Sequence, residues 1–198
     1  MAIDTIPRNR RNERFEATRL EILEASWALV REKGLSGWAL RDIALKVGMR
    51  APSLYWYFDS KLAIYDAMFA QGNRTMLDQM DSVELAAEPA LLLTQLATLF
   101  VEFAVQDAAR FQLMFQRTIP DFQPSPESYA LATMVVERAR QWFEAAGITE
   151  PSHFDLWTAL TSGLASQQLA NDPGGDRWRR LIDDAVDMFA NHVLSTRQ

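Results

Sequence analysis

The residues best suited to specific chemistry lie in one short stretch, residues 49–61, which reads MRAPSLYWYFDSK. Three consecutive aromatic residues, Tyr55, Trp56 and Tyr57, stand there between Arg50 and Lys61. On a helix, three consecutive side chains point in three directions, so they cannot all face a core. Phenol, guanidinium and ammonium groups are the donors that contact phosphates and base edges of nucleic acids. The stretch therefore indicates a surface that binds a polyanion.

The elements that must position these residues are two short helices joined by a tight turn. Apolar residues recur at helical spacing over residues 39–47, and Gly48 follows where the chain must turn with positive φ. A second short helix is predicted over residues 51–58, with Pro52 in its first turn, where a missing N–H costs little. The arrangement is typical of a helix-turn-helix, although a generic pair of short helices gives the same pattern.

The rest of the chain also shows helical spacing, with no internal repeat and weak strand signals. Further helices are predicted over residues 17–33, 60–80, 89–106, 108–117, 126–146, 152–171 and 175–195, separated by Pro- and Gly-containing loops. We therefore predict an all-α fold. A three-helix helix-turn-helix domain covers residues 1–62, and a helical bundle covers residues 63–198.

Charge is distributed unevenly along the 198 residues, whose net charge is −6. Residues 1–61 carry 11 Lys and Arg against 8 Asp and Glu, whereas the remainder carries 9 against 18. This asymmetry indicates that only the first part meets a polyanion, although chance clustering on a solvated surface gives the same numbers. Four arginines precede the first predicted helix: Arg8, Arg10, Arg11 and Arg14. They form either a basic arm that contacts phosphates or the minor groove, or a disordered tail.

Composition argues against several other classes of protein. The chain has no cysteine, two distant histidines and no sequence typical of a hydrolase nucleophile, a phosphate-binding loop or a metalloprotease. We expect neither catalysis nor a metal nor a cofactor. The polar N-terminus is not a secretory signal, and the apolar stretch 90–105 is too short and too polar to span a bilayer. A cytoplasmic location is expected.

The N-terminal part resembles the DNA-binding domain of the tetracycline-repressor (TetR) family of bacterial transcription regulators. The resemblance extends from about residue 18 to about residue 72. It rests on ILEA at 22–25, KG at 33–34, LRDIA at 40–44, VGM at 47–49 and SLYWYFDSK at 53–61, in matching order and spacing. It implies that residues 51–58 lie in a major groove and that the helical C-terminal half binds a ligand and dimerises.

The resemblance also implies roles for single residues. Arg50, Ala51 and Pro52 are expected nearest the bases, Tyr55 and Tyr57 beside phosphates, Trp56 at the groove wall or a base edge, and Lys61 on a phosphate. The alternatives are partial burial of Tyr57 against the first helix and simple packing of Trp56. Leu54 and Phe58 are expected to be structural. The chain departs from the family where Trp38 and Ala39 replace a Ser or Thr that usually caps the second helix. The cap must then come from Ser36 or be absent, and Arg41 is the replacement phosphate contact.

The C-terminal half is rich in large apolar residues that could enclose an apolar ligand, although most such residues simply fill a core. The family resemblance favours a cavity. The expected lining is Phe100, Phe103, Phe111, Met114, Phe115, Trp142 and Phe143, with Gln112, Gln116 and His153 as polar candidates nearby. Because this lining has no certain charge, an apolar or aromatic effector is expected.

Two C-terminal helices offer faces for a homodimer. Small residues let helix backbones approach closely, and the alternative is packing within one chain. The residues expected at the interface are Ala159, Ser162, Gly163, Ser166, Ala170, Leu181, Ile182, Ala185 and Phe189.

We therefore predict a homodimeric regulator of transcription, most simply a repressor, that binds a near-palindromic operator and responds to a small molecule. One alternative is a regulator without a small-molecule ligand. Another is an all-helical carrier or enzyme for an apolar molecule, which would leave the match at residues 49–61 unexplained. The effector, the operator, the regulated genes and the sign of regulation stay open.

Overall fold

The computed structural model of the protein describes residues 10–194, and all regular secondary structure in that range is helical. The all-α prediction is confirmed. The helices are α1 (Arg10–Lys33), α2 (Leu40–Lys46), α3 (Ala51–Leu54), α4 (Lys61–Asp81), α5 (Pro89–Gln106), α6 (Ala108–Phe115), α7 (Pro126–Ala145), α8 (Pro151–Asn171) and α9 (Ile182–Leu194), with a 3₁₀ turn at Arg179–Leu181.

The described chain divides into two compact units. The first contains the residues up to Met68 together with Thr118–Gln123, and the second contains Phe69–Arg117 and the residues from Pro124 onwards. The division therefore lies within α4, six residues beyond the boundary expected at residue 62. The segment 118–123, expected as a plain loop, belongs to the first unit.

Two helices of the first unit differ from prediction in length. α1 begins by Arg10 instead of residue 17, because its polar first turns give no apolar periodicity. α3 ends at Leu54 instead of residue 58, and a hydrogen-bonded turn follows, in which the N–H groups of Tyr57 and Phe58 both donate to the Leu54 carbonyl at 2.9 Å.

The start of α2 is stabilised by a residue inside the helix. Ala39 occupies the N-cap position and has no side-chain acceptor. Instead, the Ala39 N–H donates to Asp42 Oδ2 at 2.9 Å, and the Lys33 ammonium lies 3.3 Å from the same oxygen. Of the two expected alternatives, a cap from Ser36 or no cap, the structure shows the second: no side chain caps the helix, and Asp42 reaches back from the first turn to the Ala39 N–H instead.

A small aromatic group joins the segment 118–123 to the rest of the first unit. The Phe122 ring lies 5.9 Å from the ring of Tyr65, which lies 5.2 Å from Trp38. The Tyr65 hydroxyl donates to the Leu35 carbonyl, and burial raises the pKa of Tyr65 to about 12. Tyr65 is thus neutral and structural at physiological pH.

The second unit is built around α5, which packs against α6, α7, α8 and α9. By length and composition α5 could cross a membrane, with a mean hydropathy of 1.4 over 18 residues, contrary to the expectation for residues 90–105. It is nevertheless a core helix, with buried residues that include Leu93, Val101 and Phe103. Near its C-terminal end Glu102 forms an ion pair with Arg179 at 2.6 Å.

The Asp42 carboxylate should make the stability of the first unit depend on acid. The hydrogen bond from the Ala39 N–H, aided by Lys33, lowers the pKa of Asp42 below its ordinary value of 3.8. A carboxyl whose pKa is lower in the folded state stabilises the fold above the unfolded-state pKa, and this contribution is lost as pH falls through the folded-state pKa. Asp42→Asn should therefore lower the urea midpoint at pH 7, and the difference from the parent should shrink towards pH 3.

Glu21→Gln, at an exposed position of α1, is the matched control and should unfold like the parent at each pH. Urea titrations monitored by circular dichroism at pH 7, 5, 4 and 3 measure both variants. A midpoint difference for Asp42→Asn that does not change with pH would contradict this role.

Candidate nucleic-acid interface and ligand cavity

The one-turn helix α3 and the turn after it are buried on one side and expose polar and aromatic side chains on the other. Leu54 and Phe58 are only 1% and 4% exposed. On the outer side Tyr55 is 56% exposed and Trp56 is 83% exposed. Arg50 is also exposed and occupies the N-cap position of α3. An 83% exposed indole is costly to leave in water, so this surface is suited to bind a partner.

The turn between α2 and α3 has the geometry expected of a helix-turn-helix. Gly48 adopts φ +69°, where a side chain would be strained. Its N–H donates to the Leu45 carbonyl at 3.3 Å, and the Met49 N–H donates to the Ala44 carbonyl at 2.9 Å. These bonds satisfy the carbonyl groups at the end of α2 and direct the chain into α3.

Tyr57, which was expected beside a phosphate, packs against α1. Its ring stacks on Phe15 with centroids 5.0 Å apart and planes 24° apart. Its carbonyl accepts a hydrogen bond from Arg19 at 2.7 Å, and the Arg19 guanidinium lies 4.3 Å from the Phe58 ring centroid. Arg19, which the sequence analysis did not single out, therefore stabilises the end of the α3 turn.

Lys61, expected on a phosphate, is engaged within the chain. Its ammonium donates to the Trp38 carbonyl at 2.6 Å and to the Ser36 carbonyl at 3.4 Å, and lies 4.2 Å from the Trp38 ring centroid. Burial lowers the pKa of Lys61, with the nearby Asp42 carboxylate acting in the opposite direction. The lysine thus joins the loop before α2 to the start of α4, a role that the sequence did not reveal.

The other residues expected at the interface are accessible to different degrees. Arg41 is exposed on α2, and Pro52 is exposed in the first turn of α3. Ala51 is half-buried. In the sequence, exposed residues of the expected interface therefore lie both before and after the buried Leu54.

The arginines expected in an N-terminal arm belong to α1. Arg10, Arg11 and Arg14 lie in its first turns and are exposed, so the prediction that they precede the first helix is wrong for these three. Arg8 lies outside the described residues. The three arginines border an open groove of about 960 Å³, which we call the arginine groove and which is lined by Arg10, Arg11, Asn12, Arg14, Phe15, Thr18, Trp56 and Tyr57.

The second unit contains a largely apolar cavity of about 190 Å³. Its lining consists of Leu96, Phe100, Phe115, Val135, Val136, Ala139, Phe154, Trp157, Thr158, Thr161 and Ser162. The polar side-chain groups in this lining are three hydroxyls and the indole N–H of Trp157. Thr158 donates to the Asp155 carbonyl at 2.8 Å and Thr161 to the Trp157 carbonyl at 2.9 Å, so both retain lone pairs that can accept a bond from a ligand.

The expected lining overlaps this cavity at two positions, Phe100 and Phe115. The other five expected residues do not line it, and neither do the expected polar candidates Gln112, Gln116 and His153. Four of the five are at most 3% exposed and fill the core: Phe103, Phe111, Trp142 and Phe143. Met114 is partly buried and packs against the edge of that core. The walls come mostly from α7 and α8 and include the large Phe154 and Trp157, which the sequence analysis did not place in the lining.

The expected dimer residues also divide into two groups. Ala159, Gly163 and Ala170 are exposed and Ser162 and Ser166 half-buried, on the face of α8 opposite its buried Trp157, Ala165 and Gln168. Leu181 is 38% exposed, but Ile182, Ala185 and Phe189 are buried in the chain's own core. The prediction is wrong for these three because the apolar stripe of α9 packs within the second unit; Met188, at 62%, is the exposed apolar residue of α9.

Comparison with known proteins assigns the first unit. Residues 22–68 match the family model described as bacterial regulatory proteins, tetR family. The chain is 36% identical over 50 residues to tetracycline repressor protein class D of Escherichia coli, covering 25% of this chain and 23% of that protein. It is 30% identical over 101 residues to the uncharacterized HTH-type transcriptional regulator YobS of Bacillus subtilis, covering 50% and 52%. The chain thus matches about half or less of these relatives' length.

The fold match extends over nearly the whole chain. A tetR-family transcriptional regulator from Streptomyces coelicolor superposes with a TM-score of 0.70 at 21% identity, covering 91% of this chain and 82% of that one. At this identity the superposition shows a common fold. The sequence match, together with the glycine turn before α3, leads to one assignment: residues 22–68 form a domain of the tetR family of bacterial regulatory proteins.

Proposed function

We propose that the protein is a transcriptional repressor that binds a near-palindromic operator as a homodimer and is controlled by a small apolar effector in the second unit. A cytoplasmic location and the absence of catalysis belong to this proposal. The observation that carries it is the α3 surface, where Arg50, Tyr55 and Trp56 are exposed above a buried base in a domain of the tetR family.

The chemistry of α3 supports a division of labour on DNA. Arg50 stands at the leading end, where a guanidinium can pair with the O6 and N7 acceptors of guanine. The Tyr55 hydroxyl can donate to a phosphate and determine the position of the helix along the duplex. Trp56 supplies a flat apolar surface for sugars or a base edge. Selection of bound genomic fragments with the purified protein tests specific binding and recovers the operator.

The exposed face of α8 and the geometry of operator binding both support a homodimer. The helix is apolar on opposite sides, with Phe154 and Trp157 buried in the core while Leu156 is 46% exposed beside the small-residue face. An exposed leucine beside Ala159 and Gly163 offers a second helix both an apolar contact and room for close approach. Two copies of α3 in successive major grooves must be about 34–36 Å apart, a spacing that only a dimer can define.

The cavity supports a small neutral effector. Its 190 Å³ is less than the roughly 300–1,000 Å³ typical of sites for drug-sized ligands, and no charged side chain lines it. A charged ligand would lose its hydration without a paired partner. An effector regulates only to the extent that it prefers one arrangement of the dimer, and a 100-fold preference is equivalent to about 2.7 kcal/mol per site.

The limited volume of the cavity also favours a second candidate, a regulator controlled by a protein partner or by its own abundance. Both candidates require operator binding. They differ in whether any small molecule raises the melting temperature and changes operator affinity.

For the α3 surface, we expect different consequences from two substitutions. Arg50→Ala should weaken operator binding by about 1–3 kcal/mol and relax the preference at one base position. Tyr55→Phe, which removes one hydroxyl, should weaken binding to all sequences about equally. Fluorescence anisotropy with the operator and its single-base variants measures both effects. Arg117→Ala, in the second unit, is the control, and parent-like binding by both α3 variants would contradict the assignment.

For the dimer, Gly163→Arg should produce monomers and weaken operator binding. An added Cβ at Gly163 meets no atom of its own chain within 4 Å, so the substitution is compatible with the monomer fold and acts only on a neighbouring copy. Gly163→Ala is the matched control, because it raises helix propensity without adding bulk or charge. Sedimentation velocity at micromolar concentration checks both variants. A monomeric parent, or a dimeric Gly163→Arg, would exclude this interface.

For the cavity, neutral apolar compounds should raise the melting temperature more than anionic compounds do. Ligand at 100 times its Kd stabilises the folded state by about 2.7 kcal/mol. Ala139→Leu places three extra carbon atoms in the cavity wall and should abolish the effect. Ala145→Leu, at an exposed position of α7, should retain it. Stabilisation by charged compounds alone would show that the cavity is not the effector site.

A further inference from the structure

The first turns of α1 carry their arginines on one side of the helix. At 100° per residue, Arg10, Arg11 and Arg14 share a face with Phe15 and Thr18. Glu13 and Glu16 fall outside this face and do not line the arginine groove. The lining therefore contains three guanidinium groups and no carboxylate, although α1 as a whole carries both signs of charge.

The opposite wall of the arginine groove comes from the turn that follows α3. Trp56 is 83% exposed, and Tyr57 stacks on Phe15 and so connects the two walls. The second wall is therefore a direct continuation of the helix whose exposed side chains face the DNA. A duplex bound by α3 passes beside Trp56, and its sugar–phosphate backbone is the nearest polyanion to the three arginines.

The wall of the groove that carries the arginines precedes the residues that match the family model. The match to the family model begins at residue 22, after all three arginines and Phe15. This wall therefore adds three cationic groups outside the matched residues, whereas Trp56 and Tyr57 of the other wall lie within them. The groove's volume of about 960 Å³ and its open shape suit an extended backbone. Guanidinium groups suit phosphates because they donate two parallel hydrogen bonds.

We propose that the arginine groove binds the sugar–phosphate backbone beside the operator sequence contacted by α3 and so extends the footprint of each subunit. This inference rests on the proposed function, because it requires that α3 binds a duplex. The arginines contribute affinity without sequence preference, since phosphates carry no base information. Each phosphate that they neutralise releases counterions, which makes the contribution sensitive to salt.

The test uses the full-length protein and two operator fragments, one with flanking base pairs and one cut at the edge of the recognised sequence. Binding is measured by anisotropy over a series of salt concentrations. The parent should prefer the longer fragment. Arg11→Gln/Arg14→Gln should lose that preference and lower the slope of log K against log salt by about 2 per bound subunit. The pattern of base preferences should not change.

Arg74→Gln/Arg117→Gln removes the same charge from exposed positions of the second unit and is the matched control, with a parent-like slope. A groove variant that keeps the parent's slope and its preference for the longer fragment would overturn this inference while leaving the proposed function intact. A parent protein that binds no DNA with sequence preference would overturn the proposed function itself.

Discussion

A helix of a single turn cannot maintain its own position. α3 has four residues, and fixing one turn of helix costs more conformational entropy than its hydrogen bonds return. Its placement must therefore come from outside the helix. Buried Leu54 and Phe58 provide it from below, and the Arg19 hydrogen bond to the Tyr57 carbonyl provides it from the side. The exposed side chains of the candidate interface depend on these contacts.

The same requirement explains why two cations of the first unit act within the chain. Arg19 lies against the ring of Phe58, and Lys61 lies against the ring of Trp38 while binding its carbonyl. A cation above an aromatic ring gains electrostatic attraction and also keeps a donor for a backbone acceptor. Because sequence shows charge but not the direction of a side chain, it revealed neither the internal contacts of Lys61 nor the role of Arg19. Both are positioning residues for the elements on either side of α3.

Local backbone requirements were the most predictable part of the fold. Gly48 at φ +69° and Pro52 in the first turn of α3 act through their own stereochemistry, so their effect is visible in the sequence. The bounds of α5 at residues 89 and 106 were also predicted, since Pro89 begins the helix and apolar residues recur at helical spacing to its end. The start of α1 was missed because its first turns bury little, and the Asp42 contact at α2 was missed because an acceptor inside the helix replaces the usual cap.

Site residues in the second unit were predicted less well, for a different reason. An apolar residue type predicts that the side chain is buried. It does not show whether the side chain packs against its own core, lines a cavity or contacts another chain. Phe103 and Phe111 are buried against neighbours, whereas Phe115 and Trp157 border the cavity. On α9 the apolar stripe is used for the chain's own core, so Phe189 is not available to a second copy. The small residues expected at the interface lie away from the buried face of α8, and their part in a dimer stays a prediction.

An effector can change operator affinity only through elements whose arrangement both sites influence. The chain passes between the two units within α4 and again at both ends of the segment 118–123. Phe115, the last residue of α6, borders the cavity, and seven residues later Phe122 packs against Tyr65 in the first unit. Tyr65 in turn contacts Trp38, whose carbonyl is bound by Lys61 at the start of α4. A ligand that displaces Phe115 would therefore pull on the segment 118–123. Phe122 in that segment packs with the residues that hold α2 and α4 in place. In the proposed dimer, such coupling would need no change in the α3 surface itself, because a shift in how each subunit presents that surface would alter the spacing of two half-sites.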